Sequence, residues 1–344
     1  VRYASVCDGI GAAHAAWRPL GWECSWTAEI APFPAAVITS HYPGTINLGD
    51  ITKITEKDLD RQQPIDLLVG GTPCQSFSVA GLRGGLADSR GNLALRFFQL
   101  AGALRPSWVV WENVPGVLSS DKGRDFGTIL GALGQLGYGF AYRILDAQYF
   151  GVPQRRRRVF VVGYLGDWRR AAEVLFERES LSGNPAPSRR AGERIAGTIS
   201  PGAHPGGANG QDAYAGNQVA RPLRSSEDGT GRGTPIIAIQ ERASSENLRH
   251  GPQGSGMQED CAFTMEARRT PQAVAHFGVR RITPLEAERL QGFPDHWTAI
   301  QYRGKPAADA PRYCAIGNSM AVPCMVWLGQ RIQMVEDLTN AGVD

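Results

Sequence analysis

Residues 70–78 read GGTPCQSFS, a cysteine set behind a proline on a glycine-cushioned loop directly after the apolar run PIDLLV. A thiol meant for packing belongs inside such a run. Just past it, where a strand would end, is where open α/β sheets hold reactive groups. A free thiol is only about a few per cent thiolate at neutral pH, so Cys74 needs help to act as a nucleophile. Two later stretches offer it. WENVPG (111–116) carries Glu112 at the end of another apolar run, where a carboxylate can hold a ring nitrogen, shuttle a proton or close a structural salt bridge. GVPQRRRRVFVVG (151–163) leads four arginines into an apolar strand. Alternation would set Arg156 and Arg158 on one face and Arg155 and Arg157 on the other, for phosphate or base contact or simply as a solvated edge. The glycine-rich SVAGLRGGLADSRGN after Cys74 suits a loop that closes over a substrate.

A second group of residues points to a cofactor. SVCDGIGAAHAAW (5–17) places Gly9 and Gly11 in a turn between a strand and a helix, with His14 where a dinucleotide fingerprint has its third glycine. The glycines alone fit a tight structural turn equally well. Glu29, twenty residues past Gly9 at the end of the next strand, can bind a ribose diol and shifts the reading toward a nucleoside. Asp50, in LGDIT, stands where a third strand ends, as a ligand contact or a turn cap.

The elements that must position these residues follow from the hydrophobic pattern. RYASVC, ECSWTAEI, IDLLVGG, SWVVWENV and RRVFVVGYL read as strands, and the stretches near 12–20, 33–42, 90–104 and 125–136 as helices. The alternation predicts an α/β fold with a doubly wound, mostly parallel, Rossmann-like sheet. After about residue 170 the character changes: 183–260 is rich in Gly, Ser, Pro, Asn and Arg, with β-like islands PIIAIQ, CAFTM and QAVAHF. The recurring Ile, Val and Phe predict a second, smaller loop-rich domain rather than a linker. RRITPLEAERLQGFP carries a capping box, Thr283 with Glu286, and Pro284 at the first helical position. The segment GNSMAVPCMVWLGQRIQMVEDL has the spacing of a closing helix.

Composition sets bounds. A formal charge of +3 argues only weakly for a polyanionic partner, so local clusters must carry that case. Six cysteines without a CxxC pair or a Cys/His cluster predict reduced thiols and neither a zinc site nor a disulfide scaffold. No apolar run reaches membrane-spanning length and no signal pattern opens the chain; a soluble, cytoplasmic protein is expected.

In this order, the stretches resemble the DNA (cytosine-5)-methyltransferase family of prokaryotes and their phages. CDGIGA is similar to its cofactor motif, GGTPCQSFSVAG to its nucleophile motif, DSRGNL to the element after the catalytic loop, and ENV and QRRRRVF to its later catalytic motifs. RRITPLEAERLQGFPDHW and AIGNSMAVP resemble its last two. The resemblance covers about 1–165 and 280–330. Where the first motif usually has an aromatic before its glycines this chain has Cys7, followed by Asp8, with Ala12 at a further glycine position.

The resemblance implies S-adenosylmethionine as methyl donor, contacted by Cys7, Asp8, Gly9, Ile10, Gly11, Glu29, Ile30, Asp50, Ile51, Pro73, Asn318 and Ser319. It implies Cys74, Glu112, Arg156 and Arg158 as catalytic residues acting on carbon 5 of a flipped-out cytosine, and Gln75, Ser78, Arg83 and Arg155 as contacts to double-stranded DNA. Residues 1–165, completed by 313–344, would form the catalytic domain, 166–280 a target-recognition domain and 281–312 a hinge. Action as a monomer is expected, with a restriction endonuclease as a functional companion in one setting for such enzymes. Three rivals remain: a DNA-binding protein with dead chemistry, an RNA methyltransferase and a nicotinamide oxidoreductase.

Overall fold

The computed structural model describes residues 1–72, 93–177 and 282–340, and the backbone of short strands at 237–239, 257–259, 273–275 and 279–281. Contacts divide the chain into two compact units. One comprises Val1–Leu145, Arg157–Pro185 and Cys324–Asp344; the other comprises Asp146–Arg156 and Ala186–Pro323.

The first unit is built on a sheet of β1 (Arg2–Val6), β2 (Glu23–Ala28), β3 (Ile46–Asn47), β4 (Leu67–Gly70), β5 (Trp108–Asn113), β6 (Tyr138–Asp146) and β7 (Arg157–Leu165). Their order across the sheet is β3-β2-β1-β4-β5-β7-β6. The first five strands run parallel and β7 runs antiparallel to β5. Between them come α1 (Ala12–Trp17), α2 (Pro32–His41), α3 (Glu56–Leu59), α4 (Leu93–Leu104) and α5 (Arg124–Gln135), with α6 (Trp168–Leu175) after β7. Every residue of β4 and β5 is buried, as in parallel strands covered on both faces. In α5 the buried Phe126, Ile129, Ala132 and Leu133 recur at helical spacing and present one apolar stripe to the core.

The five strands expected from the sequence are all present. β6 is not among them: YGFAYRILD has no continuous apolar run, because this strand lies at the sheet's edge and most of its residues are only partly buried. The last helix, α9 (Val322–Asn340), also begins later than the closing pattern suggests. Pro323 is tolerated only in a first turn, so Gly317 and Asn318 end the preceding helix instead. Trp17, Trp22 and Trp108 each donate an indole N–H to α9, to the Met325 carbonyl, Gln333 and Glu336, all at 2.7 Å.

In the second unit β8 (Ile237–Ile239), β9 (Met257–Glu259), β10 (Ala273–Ala275) and β11 (Val279–Arg281) form an antiparallel sheet in the order β11-β10-β8-β9. The islands PIIAIQ and QAVAHF contain β8 and β10; CAFTM lies outside the described residues. Two helices follow, α7 (Pro284–Gln291) and α8 (Asp309–Asn318). The expected capping box opens α7: Thr283 Oγ1 accepts from the Glu286 amide at 3.2 Å, and the Thr283 amide donates to the Glu286 carboxylate at 2.7 Å. Gly292, left-handed at φ 79°, closes it. Among the described residues no helix is long and apolar enough to cross a membrane.

The chain builds β1, β2 and β3 outward in one direction and β4 and β5 in the other, so strand order reverses between β1 and β4. In open α/β sheets the ligand crevice lies there, outside the carboxyl ends of the strands. Gly70, the last residue of β4, is paired with Val6, the last of β1. A Cβ at Gly70 would meet Val6 Cγ2 at 2.6 Å and the Val6 carbonyl oxygen at 2.8 Å, so only glycine lets the strands close at this point. Gly70→Ala is therefore expected to destabilise the protein by about 2–3 kcal/mol in urea unfolding, the range for overpacking a core; wild-type stability would mean that the strands part there without cost.

Candidate active site

The carboxyl end of β5 carries Glu112, only 8% exposed. Antiparallel pairing sets Glu112 opposite Phe160 of β7, which makes Arg158 its diagonal neighbour on the same face. Arg158 Nε lies 3.1 Å from Glu112 Oε1, and another guanidinium nitrogen donates to the Arg157 carbonyl at 2.8 Å. A carboxylate and a guanidinium are thus held together out of water, where each compensates the other's lost hydration.

The chain segment that leads to the nucleophile loop is tied to the same strand. Trp111 Nε1 donates to Thr72 Oγ1 at 2.9 Å, and Asn113 Nδ2 donates to the Thr72 carbonyl at 2.8 Å. Asn113 Oδ1 in turn accepts from the Val114 amide at 2.8 Å. Thr72 is therefore held by both its side chain and its backbone, two positions before Cys74. Pro73, Cys74, Gln75, Ser78 and Arg83 lie outside the described residues. The roles of Trp111 and Thr72 carry no sequence signal, since a Trp in an apolar strand reads as packing.

The turn after β1 is the other half. Cys7, Gly9 and Gly11 have φ of 51°, 61° and 81°, a run of left-handed residues that turns the chain sharply between β1 and α1. The Gly9 amide donates to Glu29 Oε2 at 2.8 Å and the Ala31 amide donates to Oε1 at 2.7 Å. The Ile30 backbone adds to these bonds. Burial pushes the Glu29 carboxyl up despite these N–H bonds from Ala31 and Gly9, and the Asp8 charge adds to the rise. Beside it Ile30 is 69% exposed, an apolar side chain at the crevice edge, whereas Ile10 and Ile51 are buried. A buried acid beside an exposed apolar group on a glycine turn fits a nucleoside with a diol and a flat ring.

Asp50 caps the short turn Ile51–Lys53, accepting from the Thr52 amide at 2.9 Å and its hydroxyl at 2.7 Å. Those Thr52 bonds hold its pKa below the usual carboxylate range. Asp8 turns inward, away from any ligand, toward Ser5 and His14. Burial, then the charges of Glu29, Asp8 and Asp50, push the Cys7 thiol up to about 12. Burial raises Cys24 as well, so neither is a thiolate near neutrality.

In the second unit Arg156 is buried and donates to the carbonyls of Gly317 at 3.1 Å and Ser319 at 2.7 Å. Its amide donates to Asp146 Oδ1 at 2.9 Å, and Arg155 Nε lies 3.8 Å from the same carboxylate. Ser319 is buried and Asn318 exposed. The alternation expected along the arginine run holds: Arg156 and Arg158 are buried, Arg155 and Arg157 only partly so. The strand itself starts at Arg157, not at the first arginine.

The fold is shared with the Dnmt2 structure from Spodoptera frugiperda, 16% identical with a TM-score of 0.58 over 96% of this chain and 99% of that one. The class so defined is a Rossmann-like α/β fold. Residues 1–334 match the C-5 cytosine-specific DNA methylase family, and the chain belongs to it. The type II methyltransferase M.HpaII of Haemophilus parainfluenzae is 31% identical, covering 98% of this chain and 90% of that protein. A protein of Escherichia phage P1 named a DNA N-6-adenine-methyltransferase is 36% identical over 96% of this chain. The chain spans 61% of that relative's length.

The raised Glu29 carboxyl has a consequence for stability. A carboxyl whose folded pKa lies above its unfolded value, near 4.3, binds its proton more tightly when folded. Ionising it then costs stability as pH rises from about 4 through the folded pKa. Without ligand, wild type is expected to lose stability relative to Glu29→Gln over that window in urea unfolding. A difference that grows in wild type's favour as pH rises would show that the two N–H bonds outweigh burial.

Proposed function

We propose that this protein transfers a methyl group from S-adenosylmethionine to carbon 5 of a flipped-out cytosine in duplex DNA, through a covalent Cys74 adduct. The observation that carries the proposal is the buried Glu112–Arg158 pair between β5 and β7, with β5 also holding Thr72, two residues before Cys74. The cofactor supplies an electrophilic methyl group, and Glu29, Gly9, Gly11 and Ile30 are suited to hold its nucleoside; Ile10, Ile51, Asp50, Pro73, Asn318, Ser319 and the backbone of Cys7 and Asp8 are its further proposed contacts.

Carbon 5 of cytosine is too weak a nucleophile to be methylated directly. Bond formation between the Cys74 thiolate and carbon 6 passes an electron pair to carbon 5, while ring nitrogen 3 takes a proton from Glu112, which enters the step in its acid form. Arg158 holds the carbonyl oxygen at position 2, and Arg156 maintains the charge and geometry of the site. The carbon–methyl bond forms as the donor's methyl–sulfur bond breaks, leaving S-adenosylhomocysteine, and a water-mediated base then removes the carbon 5 proton. The sulfur–carbon 6 bond then breaks, Glu112 recovers its proton, and both the thiolate and the aromatic ring are restored. Carbon 6 is unreachable inside a duplex, so the base must leave the stack at a cost of about a few kcal/mol.

In this reading residues 1–165 with 313–344 do the chemistry and 166–280 read the DNA sequence, with 281–312 as the hinge. The loop-rich composition of 183–260 supports that division. Gln75, Ser78, Arg83 and Arg155 contact the DNA. The protein acts as a monomer in the cytoplasm of a prokaryote or a phage-infected host, with a restriction endonuclease as a companion in some settings.

The name of the phage P1 relative favours a second reading, methylation of the adenine amino group. That group is itself nucleophilic and needs no thiol addition. Labelled methyl transfer, followed by nucleoside analysis, separates the two: 5-methylcytosine in duplex DNA is expected, and N6-methyladenine or labelled transfer RNA in its place would sink the proposal. A 5-fluorocytosine duplex should trap wild type covalently, because the proton needed for release is gone. Cys74→Ser should form no adduct and lose methyl transfer by roughly 10³-fold or more while still binding DNA.

A further inference from the structure

Asp8 and His14 interrupt the pattern of the β1–α1 turn, an acid before the glycines and an imidazole where a third glycine would stand. Both are 2% exposed. Asp8 Oδ1 accepts from the Ser5 hydroxyl at 2.5 Å, and Asp8 Oδ2 lies 3.2 Å from His14 Nδ1. Its backbone takes part as well, since the Gly11 amide donates to the Asp8 carbonyl at 3.1 Å. His14 is held in turn by aromatic neighbours: Tyr3 edge-on at 5.7 Å between ring centroids and Tyr42 tilted at 4.8 Å.

We infer that Asp8 and His14 form a positioning pair that sets the cofactor turn. The turn contains three left-handed residues, one of them Cys7, which has no glycine's freedom to adopt that conformation. Such a backbone persists only where its surroundings over-determine it. The Asp8 carboxylate supplies that constraint from the middle of the turn, hydrogen-bonded to the end of β1 through Ser5 and set against the His14 imidazole of α1 at 3.2 Å. The next residue is Gly9, whose amide holds Glu29 at 2.8 Å. A shift of Asp8 therefore moves Gly9, and with it the carboxylate that would take the ribose. Neither side chain touches the ligand; they act through Gly9 and Glu29. Ser5 bonds only one oxygen of this buried carboxylate; Oδ2 and the two imidazole nitrogens make no hydrogen bond, so the close approach of His14 is what faces the second oxygen.

The inference rests on the reading of this turn as the cofactor site, and its test separates the two. S-adenosylhomocysteine, which carries the same nucleoside, is titrated into the full chain by calorimetry, with no DNA and no turnover. Asp8→Asn and His14→Leu should each weaken binding roughly tenfold or more with unchanged stoichiometry. His14→Asn keeps an N–H donor near the Nδ1 position and should stay within about threefold of wild type. In the Asp8→Asn/His14→Leu protein the two losses should be less than multiplicative, as for residues acting as a unit. Wild-type affinity in folded His14→Leu would overturn the pairing, as would an equal loss in His14→Asn and His14→Leu. If either leucine or asparagine variant fails to fold, the donor-retaining His14→Gln takes its place in the comparison with Asp8→Asn, and independent, fully multiplicative losses contradict the pairing. No binding by wild type would instead defeat the cofactor reading itself.

Discussion

A carboxylate taken out of water must be given partners, and this constraint organises the ligand edge of the sheet. Three acids, Asp8, Glu29 and Glu112, are buried at the carboxyl ends of β1, β2 and β5. Each is surrounded differently: Asp8 by a hydroxyl bond and a nearby imidazole, Glu29 by backbone amides, and Glu112 by a guanidinium. Glu29 lies at the turn's ligand edge, whereas the Asp8 side chain turns inward, with its Oδ2 making no hydrogen bond. Glu112 is matched by a full charge, which keeps it polar and fixed in a dry site without hydrating it.

Those carboxylates are useful only because the strands that carry them meet at one edge. Reversal of strand order between β1 and β4 opens the crevice, and Gly70 lets the two strands approach at their last residues. Trp111 and Asn113 then fasten Thr72 to β5, so the chain leaves β4 from a position fixed relative to Glu112. The left-handed run at Cys7, Gly9 and Gly11 does the same for the other side of the crevice. Positioning of this kind is where most of an enzyme's advantage resides, since a displacement of about 1 Å can cost roughly 10²-fold in rate.

Much of this was legible in the sequence, for physical reasons that can be named. Apolar runs such as LLVG and WVVW announce strands buried on both faces, and the Thr283–Glu286 box announces a helix start. Glu112 and Glu29 were legible because an acid at the end of an apolar run is costly without a purpose. β6 was not, because an edge strand lacks the apolar run that pairing on both sides would demand. The start of α9 was misplaced, because apolar spacing ignores the limit that Pro323 sets. The partners of Thr72 and Asp8 were hidden too: hydrogen bonds between residues 39 apart in sequence, or from a serine three residues back, leave no periodic trace.

In the proposed mechanism Glu112 and Arg158 serve chemistry on the base rather than the fold. Replacing a buried ion pair by neutral side chains of similar size is often neutral or stabilising, by about 1–4 kcal/mol. The Glu112→Gln/Arg158→Met protein, measured for both unfolding free energy and 5-methylcytosine formation on duplex DNA, therefore gives the most direct test. Stability at or above that of wild type is expected, with methyl transfer reduced by roughly 10²-fold or more. A stable double variant that methylates cytosine at the wild-type rate would contradict it.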